Sequence, residues 1–410
     1  MPHILLCIYN FPPIGGVRAI RWAHLVKALH QKGWTIDVLT VRPSPNDSFY
    51  DPSILRVVPR EVTIFRSFPG LFYFFQHLRK KPIKGYPKLT IEWLPFGLLR
   101  GIFQVLRQKY DLIVSSALPF VGHLLAFFLR MIGSTPWIAD YGDSIGFNPM
   151  TSKWKRRLGK MLEGKILKSL SGMIVPFPEM VQSFNLHYPF LKKMSIQSIR
   201  HGVSENIKEG SLYNRSDKMR ISYVGSFYPA DNEPYQFLNA LLELTKSIPS
   251  ASIEFVIAGN TQKQYIDYIE QINLQDRVKL MGQIPHDDAV NVLKKSDVIL
   301  YIGGRQDDYH FAFKIIESAA LGRPILAIKQ SEKDVGAEFI RSNHIGCVIP
   351  NNSDVIALKL QELYLLWEDN RLESSFKRVS PGELTWTQRA DEMSYFFDFI
   401  LDKSNRKYRP

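Results

Sequence analysis

From residue 221 onward the chain alternates short apolar runs with longer amphipathic stretches. The runs 221–225, 253–259, 278–282, 298–303, 324–328 and 346–350 have strand length, and most end on a glycine. Between them, 235–247, 287–295 and 355–367 place apolar residues at helical spacing. Strands alternating with helices predict a parallel, doubly wound sheet. The first half repeats the pattern with runs at 4–9, 36–41, 112–116, 137–141 and 173–176, which predicts a second α/β sheet. Residues 44–95 break the rhythm: prolines, an aromatic cluster at 68–75 and the triplet Arg79-Lys80-Lys81 read as an inserted, partly irregular segment.

The polar stretch 204–218, with Gly210 and Asn214, reads as the boundary between the halves and as a hinge. The expected domains are 1–205 and 216–383. A last amphipathic run, 386–401, follows Ser380-Pro381-Gly382 with no strand behind it, so 384–410 is expected to cross back and complete the first domain. A length of 410 residues suits two domains, and 45% hydrophobic with 22% charged residues is the composition of a large folded core.

Two cysteines, Cys7 and Cys347, are too few for a disulfide framework or a four-ligand zinc site, and point to a reducing compartment. The opening Met1-Pro2-His3-Ile4-Leu5-Leu6 carries no basic leader, so no signal peptide is expected. The apolar stretch 120–132 is interrupted by His123 and Arg130 and falls short of the about 20 residues of a membrane span. A cytoplasmic protein is therefore expected. Lysine and arginine outnumber acids 52 to 39, giving +13 and a field that favours anionic partners. No nucleic-acid-binding signature accompanies that charge, so nucleic acid is not the expected partner. Hydrolase and metalloprotein patterns (a Ser/His/Asp order, a His-Glu-x-x-His helix, a Cys-x-x-Cys pair) are absent from the sequence.

Three segments carry candidate chemistry. In Asn10-Phe11-Pro12-Pro13-Ile14-Gly15-Gly16, between the first strand and a helix, adjacent Gly15 and Gly16 let backbone amides approach an anion, with Arg18 and Arg21 as cations beside them. Neither the G-x-G-x-x-G spacing nor a P-loop lysine is present. In the second segment, 311–327, a helix opens at the C-terminal edge of the 298–303 run, where open α/β sheets bind ligands. Lys314 and Glu317 share one helical face there: a cation for phosphate and a carboxylate for ribose hydroxyls, or else a solvated ion pair. The third, Trp137-Ile138-Ala139-Asp140-Tyr141-Gly142-Asp143-Ser144, ends a strand with two carboxylates, either site residues or caps of the next helix. His201 and His286 read as structural or exposed.

At these residues the chain resembles glycosyltransferase family 4 and its relatives among the glycosyl transferases group 1, in the GT-B superfamily. Tyr9-Asn10-Phe11-Pro12-Pro13-Ile14-Gly15-Gly16 is similar to the family's opening loop, Arg200-His201-Gly202-Val203 to its Pro-Asn-Gly-Val element, and Tyr223-Val224-Gly225-Ser226 to the start of its donor domain. The stretch 314–327 resembles Lys-Leu-Phe-Glu-Tyr-x-Ala-x-Gly-Lys-Pro-Ile-Leu-Ala. The resemblance implies two Rossmann-like doubly wound domains facing a cleft and a retaining, metal-independent transfer from a nucleotide sugar, the co-substrate, with no cofactor. Glu317 would bind the ribose, Lys314 the diphosphate, Gly225 and Ser226 the phosphates, and Gly15 with Gly16 the transferred sugar and diphosphate. Where the family has the first glutamate of Glu-x7-Glu, Tyr309 stands, with Asp307 and Asp308 nearby; Phe227 to Glu233 lacks the family's basic pair, leaving Lys314 and Arg305 to neutralise the diphosphate. Asp143 lies in a stretch similar to Asp-x-Arg-Asp, Gly142 replacing the arginine, and is expected to orient the acceptor or act as base. The implied acceptor is a glycan or lipid-linked acceptor of bacterial cell-surface polysaccharide synthesis. The rivals are a catalytically silent GT-B scaffold and a GT-B sugar-nucleotide epimerase.

Two basic, apolar stretches suggest peripheral contact with an anionic membrane on its inner face. One spans 68–109, with its aromatic cluster and lysines and arginines; the other, 153–168, carries seven cations around Trp154, Leu158, Leu162 and Ile166. Taken alone, 98–106, with Leu98, Leu99, Ile102, Phe103 and Leu106 on one face, reads as a core-facing helix.

Overall fold

The computed structural model describes the chain except for residues 48–49, 72, 74, 76–89, 149–151, 208–214, 305–312 and 408–410. It divides into two compact units, Met1–Gly202 with Trp386–Pro410, and Val203–Thr385.

Unit 1 is built on a seven-stranded sheet: β1 (His3–Ile8), β2 (Thr35–Val41), β3 (Thr63–Ser67), β4 (Leu112–Ser116), β5 (Trp137–Asp140), β6 (Gly172–Val175) and β7 (Ile196–Ser198), in the order β3-β2-β1-β4-β5-β6-β7. All pairings are parallel, Leu6 lying between Val38 and Val114. The strand order reverses between β1 and β4, the switch point at which such sheets open a crevice for ligands. Edge strands β3 and β7 are not anticipated by the hydrophobic pattern: Thr63-Ile64-Phe65-Arg66-Ser67 carries an arginine, and Ile196-Gln197-Ser198 has three residues and one apolar side chain. The segment after residue 44 therefore contributes a strand to the sheet.

Helices α1 (Val17–Gln31), α2 (Trp93–Arg107), α3 (Val121–Ile132), α4 (Lys153–Lys168) and α5 (Pro178–His187) connect the strands. The helix Trp386–Lys407, last in the chain, belongs to this unit and packs on α1: His24 stacks on Trp386 at 5.4 Å, and the Trp34 indole N–H donates to Ser394 Oγ at 2.9 Å.

The α2 helix corrects one expectation. Its buried positions are Trp93, Gly97, Gly101 and Gln104, while Leu99, Phe103 and Leu106 are exposed. The cause is close helix packing: a Cβ on Gly97 would lie 3.4 Å from Leu125 Cδ2, and one on Gly101 2.7 Å from Leu129 Cδ1. Glycine, which hydrophobic periodicity counts as neutral, forms the contact face, and the leucine–phenylalanine stripe is turned outward. The aromatic cluster at 68–75 also divides: Tyr73 is buried, its hydroxyl donating to Asp47, Phe68 meets Phe96 edge to face, and Phe75 is exposed; Phe72 and Phe74 lie outside the described residues.

Unit 2 holds a six-stranded parallel sheet in the order β10-β9-β8-β11-β12-β13, with β8 (Met219–Val224), β9 (Ile253–Ala258), β10 (Val278–Gly282), β11 (Val298–Ile302), β12 (Ile325–Lys329) and β13 (Gly346–Pro350). Its helices are α6 (Tyr235–Ser247), α7 (Lys263–Gln271), α8 (His286–Lys294), α9 (Phe313–Leu321), α10 (Val335–Asn343) and α11 (Ser353–Glu368). Both sheet faces are covered, as a parallel sheet requires. Phe237, Leu241, Phe255, Leu360 and Trp367 lie in one apolar cluster; Ile299, Ile316, Ala319, Leu293 and Ile340 lie in another. The first and last residues of the unit pair with each other, Val203 bridging to Thr385.

Candidate functional site

In unit 1 the loop after β1 is tied down from several sides. Thr40 Oγ1 donates to the Tyr9 carbonyl at 2.7 Å, Asp51 N–H to the Pro13 carbonyl at 2.7 Å, and Arg66 reaches the Pro12 carbonyl. The loop ends at Gly16, whose φ of 98° is open to glycine and strained for other residues, and which caps α1 without a side-chain bond. Gly15 is buried and Gly16 half-buried.

The two nearby arginines do not simply flank this loop, as their spacing suggested. Arg21 is fully buried and donates from Nε (3.2 Å) and Nη2 (3.3 Å) to Asp140, and from Nη1 and Nη2 to the carbonyls of Arg200 (2.9 Å) and Ile199 (3.1 Å). Asp140 also accepts from Trp22 Nε1 at 2.9 Å and from Arg18 Nη1 at 3.0 Å. Burial alone would raise the Asp140 carboxyl; Arg21 and Arg18 hold it below its ordinary range instead. Asp140 is thus a structural carboxylate. It does not cap the next helix, whose N-cap is Ser152.

Asp143 is half-buried, and the chain just after it is fixed by a residue the sequence did not single out. Glu163, on α4, is buried and accepts from Ser144 Oγ (2.5 Å), the N–H groups of Ile145 (3.1 Å) and Gly146 (3.2 Å), and Tyr188 OH (2.7 Å). Burial pushes its carboxyl up despite these donors. An internal glutamate in a lysine-rich amphipathic helix carries no sequence signal of such a role.

In unit 2 the structure brings Lys314 to the loop after β8. Lys314 Nζ sits 3.7 Å from the centroid of the Tyr223 ring, and a Cβ on Gly225 would lie 3.4 Å from the same nitrogen. Gly225, at φ 136°, has no Cβ to block backbone approach, and half-buried Ser226 follows it. Asn232 braces this loop, donating to Tyr223 OH at 2.9 Å and to the Ser226 carbonyl at 3.3 Å. Gln330 links it to the end of β11, donating to the carbonyls of Asp231 (2.6 Å) and Gly303 (2.7 Å).

Glu317, one turn along α9 from Lys314, is buried, and burial pushes its carboxyl up to about 8. Its Oε1 lies 3.3 Å from Nε2 of His286, the first residue of α8. His286 is therefore part of the candidate site, although as a lone loop histidine it reads from sequence as structural or exposed. Nothing in its spacing announces the contact, because α8 and α9 meet only in the folded unit. Arg323, in the Gly-Arg-Pro that follows, is buried and pairs with Glu373 and the Lys294 carbonyl, so its role is structural. Gly322, at φ 65°, ends α9 in the left-handed conformation that glycine favours. Arg305, Asp307, Asp308 and Tyr309 lie outside the described residues. Among those described, no group of three or more His, Cys, Asp or Glu is placed to hold a metal ion.

Two doubly wound parallel sheets, with the last helix returned to the first unit, define the GT-B architecture of glycosyltransferases. Two family models account for most of the chain, "Glycosyl transferase 4-like domain" over residues 15–188 and "Glycosyl transferases group 1" over 207–377. The chain belongs to the family 4-like, group 1 glycosyl transferases. Among proteins similar to it, the phosphatidylinositol N-acetylglucosaminyltransferase GPI3 subunit of Saccharomyces cerevisiae (strain RM11-1a) is 23% identical over 309 residues, covering 72% of this chain. The chain thus matches 62% of that relative's length. Sucrose-phosphate synthase from Thermosynechococcus elongatus superposes with a TM-score of 0.70 at 19% identity, covering 98% of this chain and 100% of that one. A putative UDP-N-acetylglucosamine 2-epimerase from Listeria monocytogenes does so at 0.58 and 13%, covering 97% of each chain. At these identities the solved structures establish the fold alone.

Proposed function

We propose that the protein is a retaining glycosyltransferase that moves a sugar from a nucleotide sugar to a lipid-linked glycan in bacterial cell-surface polysaccharide synthesis. The observation that carries this reading is the cluster of Lys314, Gly225 and Tyr223 one helical turn from buried Glu317, which meets half-buried His286. Glu317 takes the ribose hydroxyls. Lys314 and the backbone at Gly225 and Ser226 take the diphosphate, as a fixed cation and fixed dipoles that stabilise the leaving group without requiring a metal. Asp143 orients the acceptor hydroxyl, and Gly15 and Gly16 give the transferred sugar room. The bond from the anomeric carbon to phosphate oxygen breaks as the bond to the acceptor oxygen forms on the same face. The acceptor proton passes to the leaving phosphate.

A panel of nucleotide sugars, assayed by release of nucleoside diphosphate with and without EDTA, tests this reading. Glu317→Ala is expected to weaken binding of the preferred nucleoside diphosphate at least tenfold in calorimetry. Release of a free sugar isomer would favour an epimerase, as would the absence of any release favour a silent scaffold. Unchanged nucleotide affinity in Glu317→Ala would remove the donor assignment.

The acceptor side is a cytoplasmic, anionic membrane surface in this reading. Leu99, Phe103 and Leu106 on α2, Met131 on α3, and Trp154 and Leu158 on α4 are exposed apolar side chains of unit 1. Arg107 lies over the Phe103 ring and Lys155 over Trp154, so cations and apolar groups alternate as an anionic bilayer interface demands. Among the described residues no helix is long and apolar enough to cross a membrane. Flotation with phosphatidylglycerol vesicles should be lost in Phe103→Asp/Trp154→Asp; equal flotation with neutral vesicles would refute the electrostatic part.

A further inference from the structure

The α4 helix has two differently used faces, and they lie back to back. Trp154, Leu158 and Met161, at helical spacing, are 66%, 55% and 59% exposed. The helix carries seven lysines and arginines, and Lys155 lies over the Trp154 ring, so this outer stripe suits an anionic lipid surface with the helix lying flat on it. Its one acid, Glu163, stands nine positions from Trp154, about 180° round a helix of 3.6 residues per turn. There it is buried.

The inner face holds the chain that follows Asp143. Glu163 Oε2 accepts from Ser144 Oγ at 2.5 Å and from the Gly146 N–H at 3.2 Å, and Oε1 accepts from the Ile145 N–H at 3.1 Å. Ser144 Oγ in turn accepts from the N–H groups of Gly146 (3.0 Å) and Phe147 (3.2 Å). A Cβ on Gly159 would lie 2.5 Å from the Ile145 carbonyl oxygen, so the loop rests directly on the helix backbone. Phe147 stacks on His187 at 4.3 Å and meets Phe184 edge to face at 5.0 Å. With this many fixed points the loop cannot rise or fall relative to α4.

The height of Asp143 above a bilayer then follows from helix geometry. The bilayer meets the outer stripe and the loop rests on the opposite face, so one helix diameter, about 10–12 Å with side chains, separates them. Asp143 adjoins Ser144, about 3.8 Å further along the chain. A hydroxyl oriented by Asp143 is held on the order of 10–15 Å from the lipid surface. A long glycan standing off the bilayer carries its free end beyond that reach. Sugars next to the lipid lie within it.

We propose that unit 1 selects its acceptor by height: it glycosylates membrane lipids that carry a short glycan, about one or two sugars at that reach, and not lipids that carry long chains. This deepens the transferase reading and rests on it for the roles of Asp143 and of the membrane face.

Two measurements on the full chain test the proposal. In a Cys347→Ser background, where the remaining Cys7 is buried, bimane on Asn148→Cys reports energy transfer to a headgroup-labelled lipid in phosphatidylglycerol vesicles. The distance of closest approach should be about 10–20 Å, and one greater than about two helix diameters overturns the proposal. In the second measurement, the preferred nucleotide sugar of the donor panel, with its sugar labelled, is offered a chloroform–methanol extract of bacterial membranes in the same vesicles. Labelled lipids are sized by mass spectrometry. Short glycans should be enriched among the products at least tenfold over the extract. Labelling of all lengths in proportion to the extract, labelling confined to long chains, or donor turnover with no labelled lipid each overturns the proposal. Leu158→Asp/Met161→Asp, with the parent's circular dichroism, should lose the energy transfer and at least tenfold of the lipid labelling; unchanged labelling also counts against it. Absence of nucleoside diphosphate release with any donor removes the transferase reading and this proposal with it, an outcome distinct from turnover on the wrong lipids.

Discussion

Asp140 in unit 1 and Glu317 in unit 2 are both buried carboxylates in doubly wound domains, and their surroundings treat them in opposite ways. Asp140 accepts hydrogen bonds from Arg18, Arg21 and Trp22, and the arginines hold it ionised against the effect of burial. Glu317 has the imidazole of His286 at 3.3 Å, and burial pushes it up to about 8. The difference separates structure from chemistry. A carboxylate saturated by protein donors has no capacity left for a ligand, whereas one that is desolvated and lightly held gains most when ligand hydroxyls arrive.

The largest effect at neutral pH should come from breaking the saturated side. Asp140→Ala leaves two buried guanidinium groups without their carboxylate, and removing one partner of such a group costs about 3–5 kcal/mol. Urea unfolding should show that loss in the transition that includes unit 1. A cost below about 1 kcal/mol would place Asp140 among exposed ion pairs, contrary to its burial. The Asp140 contribution has a fixed sign with pH: its depressed folded value means stability that is present above the unfolded value of 3.8 and lost as pH falls through the folded one.

Glu317 should behave in the reverse sense. Its folded value of about 8 exceeds the ordinary 4.5, so between these the folded protein binds more protons than the unfolded chain. Unfolding free energy therefore falls as pH rises through that window. Glu317→Gln removes the titration and should make the protein more stable than the parent at pH 9, on the order of 5 kcal/mol, with little difference at pH 4. Parallel pH profiles of parent and variant would mean that Glu317 is ionised and paired in the free protein.

Much of this contrast was legible in the chain, and the illegible part has identifiable causes. All six strands of unit 2 follow from apolar runs closed by turn residues, because a sheet covered on both faces selects continuous hydrophobic strands. The edge strands of unit 1 escape that rule, being short and polar. Lys314 and Glu317 stood out by their spacing on one helix. Their surroundings did not: the Tyr223 ring under Lys314, His286 against Glu317 and Glu163 behind the chain after Asp143 join residues from different elements. The α2 helix misled because a leucine stripe has a strong periodic signal and a pair of glycines has none, yet close helix approach depends on the glycines.

The smallest effect, and the one that best sharpens the comparison, concerns His286. With Glu317 protonated at neutral pH, the His286 Nε2 at 3.3 Å can accept its proton. In the proposed donor complex that proton would pass to the imidazole, whose side chain is 27% exposed. Glu317 would then be a carboxylate with an oxygen left for the sugar, whereas Asp140 is ionised with both oxygens already taken by protein donors. His286→Gln keeps a polar contact but cannot take up the proton. Nucleoside diphosphate affinity at pH 7 should fall about 3- to 10-fold, the worth of one hydrogen bond. The affinity lost should return as pH rises past 8, where Glu317 ionises without help. His286→Ala should show the same pH at half-recovery with a lower plateau, because it loses the contact as well. If both variants bind nucleotide with the parent's pH profile, His286 is a neighbour of Glu317 and takes no part in its protonation.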